Sequence, residues 1–320
     1  MKSTLSHLMK SVICRLTVCF SVGFTAVLMS VWAAIFTFAT LAQAQNVEVY
    51  ELWPNLAPGE TEKTPDAEKP QKDGIRRVHH VTNPTIHVYR PEKKTTDSII
   101  LIFPGGGYGI LAADHEGVEV AQFLNAKGVT AAVVYYRVPR RSGHEKHWAA
   151  WQDAQRAVRY VRANAEKFGI NPEKIGCMGF SAGGHLTLMT ATTSQTPAYE
   201  PVDELDKVPC HVNFAAPIYP AYVLEDGRDG GNKEKGNNSS IVDDFAFDTK
   251  TPPMCFIHGD SDGISAMGSV AVYHKLRTMN IPAELHIFAR VGHGFGMRAK
   301  EVHSQTWMDR VYEWMVVMKK

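Results

Sequence analysis

From residue 98 onward, two rhythms of apolar and polar positions take turns along the chain. Continuous apolar runs at 98–103, 129–136, 212–218, 254–258 and 283–288 read as strands covered on both faces. Between them apolar residues recur at three- and four-residue spacing. Val120, Phe123 and Leu124 mark one helix, closed by Gly128, and Trp151, Ala154, Val158, Val161, Ala165 and Phe168 mark a longer one that Gly169 ends. Two more helices are expected at about 267–279 and 302–318, the last with Trp307, Val311, Trp314, Met315 and Met318 on one core-facing stripe. Strands and helices in alternation specify an α/β fold, a mostly parallel sheet with helices on both faces. Ligands then bind beyond the carboxyl ends of the strands. Ahead of this pattern, residues 46–68 form an extended entry segment with a Pro/Gly turn. Residues 77–89 read as a hairpin, with strands 78–81 and 86–89 broken at Asn83-Pro84.

The first 44 residues follow a different rule. Lys2, Lys10 and Arg15 precede an almost wholly apolar stretch, 16–41, and Ala42-Gln43-Ala44 has the form of a cleavage site. This is a signal peptide, or an uncleaved anchor, since the stretch is long enough to span a bilayer. Either way the remaining residues, 45–320, are expected as a single α/β domain outside the cytoplasm, secreted or periplasmic, with membrane contact only if 16–41 is retained. Of the chain's 34 Lys+Arg and 33 Asp+Glu, the leader holds three basic groups and no acidic one. The rest is close to neutral and carries no electrostatic footprint for nucleic acid or anionic lipid. Cys177, Cys210 and Cys255 fall in or beside apolar strands and read as packing thiols rather than a disulfide framework. Residues 225–240 are rich in Gly, Asn and charge and do not match a calcium-loop pattern, so they read as a solvated loop.

Candidate chemistry centres on residues 174–189, a strand, a sharp turn and a helix around Gly179-Phe180-Ser181-Ala182-Gly183. This G-x-S-x-G spacing suits a nucleophile elbow: the serine takes a strained backbone conformation and its neighbours approach so closely that a Cβ does not fit. A serine hydroxyl needs a base in reach, itself oriented by a carboxylate, and the elbow fold puts the acid and the histidine after later strands. Two loops fall where required. One is His258-Gly259-Asp260-Ser261-Asp262-Gly263, where the H-G-x-x-D pattern favours Asp262 over Asp260 as the acid. The other is Gly292-His293-Gly294, where His293 can swing over Ser181. Acyl transfer also needs N–H donors for an oxyanion. Pro104-Gly105-Gly106-Gly107-Tyr108, just past the first central strand, lets backbone amides face the cavity and join the N–H of Ala182. A phosphate-cradling loop lacks here its Lys-Ser/Thr and its ribose-binding acid.

These motifs carry a resemblance. LWPNLAPGE at 52–60, FPGGGY at 103–108, DHEG at 114–117, YYR at 135–137, GFSAGGH at 179–185, HGDSDG at 258–263 and GHGFG at 292–296 together resemble the α/β-hydrolase superfamily. Within it the chain is similar to the bacterial acetyl-esterase and xylan-esterase group related to hormone-sensitive-lipase-type esterases. The resemblance implies a Ser181, Asp262, His293 triad and oxyanion donors at Gly106, Gly107 and Ala182. It also implies hydrolysis of short acyl esters, often acetyl groups on plant polysaccharide such as xylan, by a chemistry needing no metal and no cofactor. Pro104 stands where lipase-like members have histidine, and the insertion between Tyr219 and Thr251 is short, implying a small lid and an open cleft. Tyr108, His115 and Glu116 are candidates to line that cleft, although Glu116 equally suits a helix-start cap, and His185 is at best a support behind the serine. Three alternatives remain: a prolyl-oligopeptidase-like peptidase, for which 45–320 leaves no room for a propeller; a glycosidase, which needs paired carboxylates not evident here; and a non-catalytic carbohydrate-binding relative, which would normally have lost one of these motifs.

Overall fold

The computed structural model describes residues 47–69, 72–225 and 240–318. The expected leader or anchor, and most of the loop at 225–240, lie outside the described residues. Eleven strands are described. They are β1 (Val47–Glu51), β2 (Ala67–Lys69), β3 (Arg77–His79), β4 (Thr85–Tyr89), β5 (Ile99–Phe103), β6 (Leu111–Ala112), β7 (Thr130–Tyr135), β8 (Ile175–Phe180), β9 (Phe214–Ile218), β10 (Met254–Gly259) and β11 (Ala283–Phe288). Eight of them form one sheet in the order β1-β4-β7-β5-β8-β9-β10-β11. From β7 to β11 every neighbour is parallel; the β1–β4 and β4–β7 pairs are antiparallel, so β4 alone runs against the rest. The predicted α/β class and mostly parallel sheet are the observed ones. β5, β7, β8 and β10 are buried along their whole length, as their unbroken apolar sequences require, whereas the edge strand β1 alternates exposed and half-buried residues.

Helices α1 (Glu119–Ala126), α2 (Trp148–Ala163), α3 (Ala182–Thr192), α4 (Met267–Thr278) and α5 (Trp307–Met318) pack on this sheet and each other. Among the described residues no helix is long and apolar enough to cross a membrane. The helix expected at 151–168 is broken. It unwinds at Asn164 (φ −104°, ψ 23°), resumes as one turn, Ala165–Phe168, and ends at Gly169 in the left-handed conformation (φ 61°). The helix expected from 302 likewise begins as a 3₁₀ turn, Val302–Ser304, before α5 proper.

The expected hairpin at 77–89 is not formed. His80 takes a positive φ of 55° and turns the chain, so β3 joins β2 and β6 in a separate antiparallel sheet while β4 enters the main one. Period-two patterning names strands but not their partners. The entry segment is an integral part of the domain. Arg137, at the end of β7, is wholly buried against Asp153 of α2, with Nε 3.0 Å from both carboxylate oxygens. Its other nitrogens donate to the Pro58 carbonyl (2.6 Å) and to Gln152 Oε1 (2.7 Å), and Trp53 Nε1 donates to Asp153 (2.9 Å). This buried ion pair, with Glu60 Oε1 3.4 Å from Arg137 Nη1, fastens the 52–60 turn to the sheet. Removing one partner of such a pair leaves the other charge uncompensated. Asp153→Ala is therefore expected to lower unfolding free energy by about 3–5 kcal/mol in urea denaturation, far more than the removal of the exposed ion pair of Lys207 with Glu204.

Candidate active site

Between the last residue of β8 and the first of α3, Ser181 stands alone with φ 54° and ψ −116°, a conformation that L-residues avoid. The glycines around it are there for contact. A Cβ on Gly179 would lie 2.2 Å from the Gly183 carbonyl oxygen, and one on Gly183 would lie 2.0 Å from that of Phe103. The strained turn is held from outside as well. Its N–H donates to Ile218 (3.1 Å), and its carbonyl accepts from Ala221 (3.0 Å) and His185 (3.0 Å).

The loops after β10 and β11 meet over this serine. Their backbones touch where a Cβ on Gly259 would come within 2.2 Å of the Val291 carbonyl oxygen. His293 Nε2 lies 2.9 Å from Ser181 Oγ, and His293 Nδ1 lies 2.8 Å from Asp262 Oδ2. A carboxylate can only accept, so Nδ1 carries the proton and Nε2 is left to accept from the hydroxyl. Asp262 is fully buried at its side chain and also accepts from the Ile264 N–H at 2.7 Å, while the His293 ring is one-third exposed. Asp260 is exposed and turns the loop through its own N–H, bound to the Phe288 carbonyl at 2.8 Å. Of the two acids, Asp262 is the one that meets the imidazole.

His258 lies beneath this loop, its Nε2 3.6 Å from Asp262. Its ring is spoken for by Ser269 Oγ (2.9 Å) and the Ile264 carbonyl (3.1 Å), and burial pushes its pKa down to about 4. It stays neutral and leaves the carboxylate to His293.

The glycine loop after β5 shows what its residues are for. Gly106 (φ 133°) and Gly107 (φ 62°) are in backbone conformations suited to glycine, and a Cβ on Gly106 would meet the Ile110 carbonyl at 2.2 Å. The carbonyls are tied back, Pro104 by the Tyr136 hydroxyl (2.5 Å) and Gly107 by Arg140 (2.9 and 3.1 Å). Among the described residues none accepts a hydrogen bond from the N–H of Gly106 or Gly107. The N–H of Ala182, heading α3, is similarly placed at a helix start.

Two of the three expected cleft residues are elsewhere. Tyr108 is 1% exposed, its hydroxyl 2.9 Å from His185 Nδ1, so it lies under the loop rather than on the cleft. Glu116 is 3% exposed and forms no helix cap. One of its oxygens accepts from the Gly105 N–H (2.9 Å) and the other from the Tyr219 hydroxyl (2.8 Å), which in turn accepts from the Gly296 N–H (2.9 Å). Burial raises the Tyr219 pKa well above its ordinary value, so the phenol keeps its proton. This chain joins the glycine loop to the histidine loop. Neither Glu116 nor Tyr219 was assigned this role from sequence, and a lone carboxylate in D-H-E-G gave no signal of where its oxygens would go. His115 does face a cleft of about 410 Å³, with His293, Asp73, Arg298, Lys300 and Glu301 around it, and its Nε2 lies 3.2 Å from the Gly294 carbonyl.

The chain is similar to proteins named as esterases and as xylan-degrading enzymes. A family model described as BD-FAE matches residues 86–239. An acetylxylan esterase of Xylanibacter ruminicola is 29% identical over 222 residues, 65% of this chain and 43% of that protein. Endo-1,4-beta-xylanase B of Butyrivibrio fibrisolvens is 27% identical over 233 residues, 69% of this chain and 36% of that protein. The chain thus aligns with less than half the length of these two relatives. Among solved structures, an acetyl ester-xyloside bifunctional hydrolase from Caldicellulosiruptor lactoaceticus superposes with a TM-score of 0.68 at 27% identity, covering 85% of this chain and 96% of that one. An α/β hydrolase, MGS-M1, from a Medee basin deep-sea metagenome library gives 0.58 at 26% identity, covering 79% and 97%.

Two outcomes are expected from this geometry. Glu116→Ala frees the glycine loop from the histidine loop, and a misplacement of that kind is expected to lower kcat on p-nitrophenyl acetate by on the order of a hundredfold with a smaller change in KM. The second concerns acid. His258 and the half-buried, Tyr135-stacked His87 both have folded pKa values of about 4, lowered first by burial, against 6.5 for the free side chain. The unfolded chain binds these protons first, so their contribution is complete above about pH 6.5 and is lost as pH falls towards 4. Unfolding midpoints in urea measured from pH 7.5 to 4.5 are expected to fall across that window, and His258→Asn is expected to flatten the fall.

Proposed function

We propose that this chain, similar to the bacterial acetyl- and xylan-esterase-like α/β hydrolases, is a secreted serine carboxylesterase removing short acyl groups from carbohydrate. The observation that carries this reading is the unbroken contact from Ser181 through His293 to Asp262, beside amides of Gly106, Gly107 and Ala182 that are free to receive an oxyanion. In this mechanism Oγ of Ser181 attacks the ester carbonyl while His293 Nε2 takes its proton, and the buried Asp262 stabilises the imidazolium. The tetrahedral oxygen settles among the three amides, each contributing on the order of 3 kcal/mol to barrier lowering. His293 then returns the proton to the leaving alcohol. Water, activated by the same ring, releases the acid from the acyl-enzyme.

The substrate class rests on likeness and on the cleft. Acetylxylan esterase is the name of one relative, and acetyl ester-xyloside hydrolase that of a structural neighbour. The cleft beside His293 is lined by Asp73, Arg298, Lys300 and Glu301, groups suited to a hydroxyl-rich alcohol rather than to a long acyl tail. Export is supported by the leader-like sequence of residues 1–44.

The test is direct. Purified protein is expected to cleave p-nitrophenyl acetate, to release acetate from acetylated xylan, and to release no reducing sugar from unsubstituted xylan. Ser181→Ala is expected to lose at least about a thousandfold in kcat. Asp262→Asn should cost far more than Asp260→Asn. Activity that survives Ser181→Ala overturns the reading, and greater damage from Asp260→Asn overturns the assignment of the acid.

A further inference from the structure

Beside the first turn of α3, three ligand-type side chains converge. His147 occupies the N-terminal cap position of α2, His185 lies one turn into α3, and Asp244 comes from within the lid insertion. His185 Nε2 is 3.1 Å and His147 Nδ1 is 3.6 Å from the same oxygen, Asp244 Oδ2, and all three atoms lie within 4.8 Å of one another. His185 is fully buried and His147 is 7% exposed, and Nδ1 of His147 is a buried nitrogen with no hydrogen-bond partner. Hydrogen bonding accounts for the other members. Tyr108 and Asp244 satisfy the two nitrogens of His185, and Lys146 Nζ lies 3.0 Å from Asp244 Oδ2. It does not account for His147, whose bare nitrogen is aimed at the carboxylate from beyond bonding distance.

Two ligands on a tetrahedral zinc ion, at about 2.0–2.1 Å from the metal, stand about 3.3 Å apart. The observed separations of 3.1 and 3.6 Å bracket that spacing. We propose that His147 Nδ1, His185 Nε2 and Asp244 Oδ2 form a binding site for one zinc ion or a similar transition-metal ion. Two imidazoles and one carboxylate select such an ion over calcium or magnesium, which take oxygen ligands. The surroundings suit it. Burial favours the neutral form of both rings, the form that binds metal. The second nitrogen of His185 meets the Tyr108 hydroxyl at 2.9 Å, the outer partner that fixes a ligating ring. Phe245, 5.1 Å from the His185 ring, and Trp151, 6.0 Å from that of His147, wall the cluster. Lys146 is the competitor: its ammonium sits on the carboxylate oxygen the metal needs, but its side chain is 23% exposed and can swing to solvent. The site is separate from the reacting groups, joining α2, α3 and the lid base.

The experiment uses the full chain, stripped with chelator and titrated with zinc by calorimetry and with cobalt by visible absorption. One equivalent per chain and tetrahedral cobalt bands are expected. His147→Ala should weaken binding by at least about tenfold, and zinc should raise the Tm of the wild type but not of this variant. Lys146→Met keeps all three ligands and removes the competing charge, so it should bind more tightly, an effect that poor folding cannot produce. The proposal is overturned if the wild type takes up no metal. Equal affinity in His147→Ala, or unchanged or weaker affinity in Lys146→Met, overturns it as well.

Discussion

The constraint on which this molecule depends is a contact between two pieces of backbone. Gly183, in the first turn of α3, is pressed so hard against the Phe103 carbonyl that any side chain would overlap it. That contact sets how close the helix after the serine stands to the strand before the glycine loop. The proposed nucleophile and oxyanion amides come from these two elements, so their spacing is decided by main chain alone. Ser181 is left with a left-handed backbone, a cost of about 1–3 kcal/mol. The surrounding sheet absorbs it, since Ile218 and Ala221 of the next strand and its loop hold the strained peptide on both sides.

A second constraint is electrostatic. Burying a carboxylate is costly unless both its oxygens are occupied, and Glu116 and Asp262 each solve the problem with loop groups. Asp262 takes the Ile264 amide and the His293 imidazole; Glu116 takes the Gly105 amide and the Tyr219 phenol. Each acid therefore enforces a loop geometry, because moving the loop would strand a buried charge. Gly105 donates to Glu116, which leaves the next two amides, not this one, for the proposed oxyanion hole.

Much of this was legible in the sequence, and what was not has a common cause. Unbroken apolar runs named the central strands, and closely spaced glycines named the elbow and the loop, because these are local demands on one residue or its neighbours. Ser181, His293 and Asp262 could be singled out since each ends a strand whose order in the sheet is implied by chain order. Pairing was not legible: the β3 and β4 segments have hairpin patterning, yet the turn at His80 sends them to different sheets. Nor were long-range side-chain bonds. Glu116 meets Tyr219 across 103 positions and Arg137 meets Pro58 across 79. Nothing near either residue records its partner.

Exposure across Ser181, His293 and Asp262 follows the chemical duties proposed for them. The Asp262 side chain is wholly enclosed, Ser181 is 9% exposed, and the His293 ring is one-third exposed. In the proposed mechanism only the imidazole must receive a proton at one step and hand it to a departing alcohol at the next, and later draw on water. A fully enclosed ring would hold its charge poorly, and a fully open one would lose its orientation. Tyr219, edge-on to the ring at 5.1 Å, fixes the buried side while leaving the other to the cleft. The same tyrosine bonds to Glu116 and to the Gly296 amide. One residue thus sets both the angle of the proposed base and the position of the proposed oxyanion loop, so the two geometries cannot be varied independently.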